Sequence, residues 1–252
     1  MLIKFPIATL IKNKDFGNLR RFVDLGFEFS LTEFNSDTLT KFGDAENIIY
    51  NLIMSNDLEK IKRQPKKLLN VANNNGYTPL HWAIVANRND IIDYIISECS
   101  NHLAETIFGE NCFSLAARYD NTYAFEKLMA LFHHRSVMLS NERGFNALIF
   151  AAACKNILIL ESIIKNSDKV MIRSHNNYDA NFLHWLFHGK NCSDHNKALV
   201  IKTIFKLLHE KTSKHDIKKM LREANVIGYT PITWLEHYDN QETIKFLQEI
   251  YK

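Results

Sequence analysis

Residues 76–82 read GYTPLHW, and residues 228–234 read GYTPITW, nearly the same seven letters 152 positions later. Each letter has a physical job. Gly76 and Gly228 can take the positive φ of a tight turn, Thr78 and Thr230 can cap a helix by accepting a backbone N–H, and Pro79 and Pro231 suit the first helical position. Leu80 and Ala83, three apart, share a helix face, and the small Ala lets a neighbouring helix come close. Beyond the first copy, NDIIDYII places Ile91, Ile92, Ile95 and Ile96 on one stripe, which predicts a second helix antiparallel to the first.

The two copies belong to one series. About 33 residues after Gly76 stands Gly109 in GENCFSLAA, where Phe113 and Ala116 take the places of Leu80 and Ala83. About 35 further is Gly144 in GFNALIFAA, with Leu148 and Ala151 in those roles. Another 35 brings Asp179 in DANFLHWLF, where Leu183-His184-Trp185 repeats Leu80-His81-Trp82. The last step, to Gly228, is about 49.

GYTPLHWA followed by NDIIDYII resembles the ankyrin repeat, with its G-x-T-P-L-H-x-A signature and period near 33. The resemblance implies an all-α ankyrin-repeat solenoid in a single domain over 1–252, each unit a helix pair with an extended finger. Seven pairs are expected, near 3–35, 43–71, 73–106, 107–140, 142–174, 176–225 and 226–252. Working backward, NIIYNLIMSNDLEKIKR reads as a degenerate pair. FPIATLIKNKDFGNLRRFVDLGFEF offers a helix near 6–13, a turn at Gly17, a helix near 18–24 and a stop at Gly26. Asn111-Cys112 and Asn146-Ala147 replace Thr-Pro but keep a residue able to cap. The sixth pair lacks the turn glycine and carries an insertion over about 189–225. Its extra length is expected in GKNCSDHN between the helices and in TSKHDIKKMLREAN in place of a short finger. The latter reads as an added helix capped by Thr212 or Ser213, with Ile217, Met220 and Leu221 apolar.

Composition narrows the function. With 252 residues, 46% hydrophobic, the chain can bury a substantial core. Its 31 basic and 28 acidic residues leave a formal charge of +3, so there is no general attraction to nucleic acid or an anionic membrane. No apolar run approaches the roughly 18 residues of a membrane span, and the start, MLIKFPIATLIKNKDFG, reads as folded structure rather than a leader. Cys99, Cys112, Cys154 and Cys192 form no close pair, which fits a reducing, cytoplasmic compartment.

Three chemical readings compete. His184, His188, Cys192 and His195 place four residues able to ligate a metal within twelve positions, the pattern a metal-dependent or thiol hydrolase would need. Against it, His184 occupies the repeat's own histidine position, structural in the family, and no glutamate completes HExxH. Basic residues cluster at Lys60, Lys62, Arg63, Lys66 and Lys67, and again in the insertion at Lys211, Lys214, Lys218, Lys219 and Arg222. A nucleic-acid site would want a continuous stripe with exposed aromatics, whereas Glu210, Asp216 and Glu223 interrupt the second cluster. No Gly-rich phosphate loop or GxSxG is present, so no catalytic residue and no cofactor are assigned. Trp82, Trp185 and Trp234 share one repeat position, where the family packs Leu, and are expected to fill core.

The resemblance therefore points to a non-catalytic module that binds another protein through its concave face, with the chain itself a monomer. The family's variable positions fall here on Tyr77, Arg88, Glu110, Arg118, Tyr119, Arg143, Phe145, Tyr178, His188, Tyr229, His237 and Tyr238. Several are Tyr or Arg, the types enriched in interface hot spots. Lys214, Lys218 and Lys219 in the insertion would add contacts or mask part of the groove. Asn- and Lys-rich chains of this kind resemble those of intracellular bacteria and large viruses, some of which act as effectors in a host's cytosol.

Overall fold

The computed structural model describes residues 48–252 except 74, 100, 133, 189–194, 239 and 252. The helix pair expected near 3–35, the start of the next, and residues 189–194 of GKNCSDHN, Cys192 among them, lie outside the described residues. The chain divides into two compact units, 1–101 and 102–252. The described part of the first carries α1 (Ile48–Met54), α2 (Leu58–Lys62), α3 (Pro79–Val85) and α4 (Asn89–Glu98), with a 3-10 turn at Lys66–Asn70. The second carries α5 (Cys112–Arg118), α6 (Thr122–Leu131), α7 (Ala147–Cys154), α8 (Ile157–Asn166) and α9 (Lys169–Ile172). It continues with α10 (Phe182–Phe187), α11 (His195–Lys211), α12 (Lys214–Met220), α13 (Pro231–His237) and α14 (Gln241–Tyr251). No strand forms among the described residues; the one bridge, His175 to Asn181, spans a turn.

From α3 onward each helix pair begins with a polar cap. Thr78 accepts from the His81 N–H while His81 Nδ1 accepts from the Thr78 N–H, a reciprocal box. Asn111 and Asn146 accept from Ser114 N–H and Ile149 N–H, each at 3.0 Å, so the repeats that lost Thr-Pro keep their helix start as expected. Thr230 and Thr233 close the same box at α13. The first helix of a pair is buried nearly all round: every residue of α3 is buried, and so are the first six of α5 and of α7. Such helices are held by tertiary packing, since seven or eight residues are too short to persist alone. The second helices bury one stripe, Ile91, Ile92 and Ile95 in α4 and Ile159, Leu160, Ile163 and Ile164 in α8.

In the second unit α5, α7, α10 and α13 pack in sequence as one layer, and α6, α8, α11 and α14 form the other. Fingers also bond to one another: Asn177 N–H donates to the Arg143 carbonyl at 2.9 Å, and Val226 N–H to that of Tyr178 at 3.0 Å. The long sixth interval is built differently from the expectation. Its finger, ending at Gly228, is intact, with Asn225 N–H bonded to the Tyr229 carbonyl. Among the described residues the extra length lies in the 17-residue α11 and in α12. The last is an enlarged version of the short helix that comes after other second helices, at Lys66–Asn70, His134–Met138 and α9. Ser213, one of the two caps foreseen, accepts from the Asp216 N–H, and Ile217, Met220 and Leu221 are buried.

Gly144 and Gly228 both take positive φ, +78° and +84°, but only Gly144 is crowded: an added Cβ would lie 2.8 Å from the Asn176 Cα and 2.9 Å from the Asn177 N. Gly228 has nothing within 4 Å. Gly228→Ala is expected to cost about 1 kcal/mol for the left-handed backbone. Gly144→Ala adds overpacking of about 1–3 kcal/mol. Urea midpoints of the two variants check this, with Gly144→Ala the lower.

Candidate protein-binding surface

The residue after the turn glycines Gly76, Gly144 and Gly228 and the residue five further on are brought together by the cap and the first helical turn. Tyr77 stacks on Trp82, with centroids 4.7 Å apart, and Tyr229 stacks on Trp234 at 4.4 Å. Phe145 and Phe150 form the same pair in the fifth repeat, tilted at 5.6 Å. In the sixth repeat Ala180 stands at the first position, and Trp185 instead meets Phe145 of the preceding repeat at 5.0 Å. The G-Y-T-P-x-x-W spacing thus encodes a ring pair, a signal that could have been read by comparing positions five apart.

In the second unit these pairs join into a row. From Phe145 and Trp185 it passes to His188, whose ring stands edge-on to Trp234 at 4.6 Å. Tyr238 lies parallel to Trp234 at 5.8 Å, and His237 meets Tyr238 at 4.9 Å. Tyr178 extends the row beside Phe145. His237 is exposed, while Tyr178, Trp185, His188, Tyr229, Trp234 and Tyr238 are half-buried. Trp82 fills core as expected, but Trp185 and Trp234 are partly open to solvent and belong to this surface.

Backbone bonds set the row in place. Lys155 occupies a left-handed position, φ 62°, and its Nζ reaches the carbonyls of Trp185, Leu186 and His188 at 2.6, 2.7 and 3.0 Å. A cation there neutralises the negative end of α10 and satisfies carbonyls that lack helical partners. Burial, with Lys155 and His237 nearby, holds the His188 imidazole below the usual histidine range, so its neutral ring stays in the aromatic row.

The other predicted contact residues divide into two groups. Glu110 and Phe145 are inside, 3% and 5% exposed, and act as supports rather than as contacts. Glu110 pairs with Arg118 at 2.6 Å, and the Arg118 guanidinium lies 5.7 and 5.8 Å from the Tyr119 and Phe150 ring centres. That pairing gives one of the buried carboxyl oxygens of Glu110 a partner in the interior. Burial raises the Tyr119 phenol. In the first unit Arg88 spends Nη2 on the Met54 carbonyl, 3.1 Å away, capping the end of α1. Arg143 is half-buried and its carbonyl is taken by Asn177. Lys214 and Lys219 are exposed and Lys218 half-buried, all on α12 and outside the aromatic row.

His184 spends both nitrogens on the fold. Its Nδ1 accepts from the Asn181 N–H at 3.1 Å, so Nε2 carries the proton and donates to the Tyr229 carbonyl of the next finger at 3.2 Å. It has no lone pair to offer a metal, and no group of three potential ligands occurs among the described residues. Cys192 and the His195 side chain lie outside them. Nor is an activated thiol seen at Cys99, where burial pushes the group up to about 11 and Sγ donates to the Leu69 carbonyl.

Repeated capped helix pairs with looped fingers define an all-α repeat protein, and comparison with known proteins names the class. Residues 75–105 match a family model described as ankyrin repeat, so that segment is an ankyrin repeat. It is 29% identical over 59 residues to the palmitoyltransferase AKR1 of Candida glabrata and 26% identical over 61 residues to that of Saccharomyces cerevisiae. These matches cover 23% and 24% of this chain and 8% of either relative. In fold it is similar to a chain of the complex between the predatory endopeptidase Bd0816 of Bdellovibrio bacteriovorus and the immunity protein Bd3460. There the TM-score is 0.62 at 21% identity, over 80% of this chain and 96% of that one. No helix among the described residues is long and apolar enough to cross a membrane.

Burial holds the His184 imidazole down to about 4, against about 6.5 in an unfolded chain. Between those values the unfolded state binds the extra proton and the folded state does not. Stability contributed by neutral His184 is therefore complete above pH 6.5 and is lost as pH falls toward 4, by about 3 kcal/mol at most. Urea unfolding from pH 7 to 4 is expected to show a steeper decline for the wild type than for His184→Gln.

Proposed function

We propose that the chain is a non-catalytic protein-binding module and that a partner protein lies along the aromatic row of the second unit. The observation that carries this reading is the run of half-buried rings from Tyr178 through Trp185, His188 and Trp234 to Tyr238. Such rings are rigid, amphipathic and already positioned, so a partner burying them forfeits little side-chain entropy. Arg118, Tyr119 and Arg143 flank the row in the same unit, and Tyr77 with Arg88 offers the corresponding surface in the first. The whole chain acting as one domain and as a monomer is part of the proposal.

The ankyrin match supports a binding rather than a catalytic role, because repeats present a surface and not a closed pocket. One solved relative in fold comes from an endopeptidase–immunity protein complex, an assembly of two proteins. An effector role in a host's cytosol rests on the Asn- and Lys-rich composition. The hydrolase reading has lost His184 to the finger of the next repeat.

The test is capture of a partner, then titration calorimetry and hydrogen exchange of the purified pair. Truncating Tyr178, His237 and Tyr238 to alanine together is expected to weaken binding at least tenfold, as hot-spot residues do. Protection is expected at 229–238 and around Trp185. Unchanged affinity, with protection confined to the second helices, would place the partner elsewhere.

A further inference from the structure

The basic cluster of the insertion looks interrupted in sequence, but two of the three acids that interrupt it, Asp216 and Glu223, are turned to structural use, while Glu210 is exposed. Asp216 is 6% exposed. It pairs with Lys169 at 2.6 Å and Arg173 at 2.9 Å, and accepts from the Ser213 hydroxyl at 2.5 Å. These cations and the hydroxyl hold its carboxyl far below the usual range. Glu223 accepts from the Asn181 amide at 3.2 Å and pairs with His175 at 2.9 Å. Along α12 and its flanks, Lys211, Lys214, Lys219 and Arg222 face solvent, with Lys218 half-buried. None of the five pairs with an acid among the described residues.

This basic face continues into a groove. The Lys214 ammonium stands 6.0 Å from the centre of the Tyr251 ring, and the Tyr251 hydroxyl meets His209 Nε2 at 2.9 Å. His209 edges a cavity of about 510 Å³ between α11 and α14, lined by the apolar Phe205, Phe246 and Ile250. Its remaining rim is Lys202, Lys206 and a single acid, Glu210. Apolar lining under a cationic edge matches an acidic segment that also carries apolar side chains.

We infer that the enlarged sixth repeat forms a second docking surface, separate from the aromatic row, that takes an acidic amphipathic segment of a partner protein. The apolar side chains of the segment enter the groove between α11 and α14, and its carboxylates meet Lys202, Lys206 and Lys214. A nucleic acid fits less well. Sequence-tolerant binding of a single strand wants exposed rings for bases to stack on; α12 offers none, Phe205 and Tyr251 are 1% and 7% exposed, and the half-buried Phe246 ring already has the Lys202 ammonium 5.8 Å from its centre.

The test is fluorescence anisotropy at low salt with the full chain and four labelled probes of similar length. These are a peptide of glutamates with leucine at helical i, i+4 spacing, the same peptide with lysine for glutamate, an all-glutamate peptide, and a thymidine oligonucleotide. The Glu/Leu peptide is expected to bind best, at least tenfold tighter than the other three, and to weaken as salt rises. Lys202→Glu/Lys206→Glu and Lys214→Glu/Lys218→Glu are each expected to reduce that binding about tenfold, with circular dichroism and thermal midpoint unchanged. Alanine at Tyr178, His237 and Tyr238 is expected to leave it intact, so this surface and the aromatic row fail independently. Glu/Leu affinity no better than that of the lysine peptide, tighter binding of the oligonucleotide, or indifference to both charge reversals would overturn the inference.

Discussion

Everything in the repeat hangs on one small polar turn. Three residues before the left-handed position of each described finger stands an Asn or Thr, at Asn73, Thr106, Asn141, Asn176 and Asn225. In each case one side-chain oxygen accepts two backbone N–H groups. Asn73 Oδ1 takes those of Asn75 and Tyr77, and Asn141 Oδ1 those of Arg143 and Phe145. Asn176 Oδ1 takes those of Tyr178 and Ala180, and Asn225 Oδ1 those of Ile227 and Tyr229. Thr106 does the same with its hydroxyl for Phe108 and Glu110. A tight finger would otherwise bury N–H groups with no partner, at about 1–3 kcal/mol each. With the donors satisfied, the left-handed residue need not be glycine, and Asp179 holds φ +54° in the sixth repeat.

The turn also dictates the start of the next helix. Its last residue leads directly into the cap, and the cap starts a helix too short to stand without neighbours. Neighbouring repeats then satisfy each other's helix ends, as when Asn156 Nδ2 donates to the Ala117 carbonyl, and within the sixth repeat Asn181 Nδ2 donates to that of Met220. His184 and Lys155 do the same between later repeats, and they are the residues that locate the aromatic row. The surface that a partner would meet is thus a by-product of how the turns and caps are satisfied. The rings lie in register because the fingers beneath them do.

Much of this was legible in the sequence, and the reasons for the rest are physical. Period, caps and the buried first helices could be read from GYTPLHW, because Gly, Thr and Pro have few alternative roles at that spacing. Asp179 was recognisable as a turn residue from Leu183-His184-Trp185 alone. The Asn-x-x-Gly register is hidden in the sequence, since Asn is common throughout this chain and only a comparison across all five turns isolates it. Glu110 looked like a surface charge until Arg118, eight residues on, was seen to lie beside it. Lys155 gave no sign of its role because its three acceptors belong to the next repeat. The basic insertion reads as interrupted by Glu210, Asp216 and Glu223 because the partners of the last two, Lys169, Arg173 and His175, lie 43 to 48 residues away.

The central claim, that side-chain oxygens hold the finger turns shut, is tested most directly by native-state amide hydrogen exchange. The N–H groups of Phe145, Tyr178, Ala180 and Tyr229 lie in loops, yet they are expected to exchange as slowly as the helix amides of α7 and α10, opening only when repeats separate. Exchange of those four amides at the rate of an unstructured loop, with α7 and α10 still protected, would contradict the account.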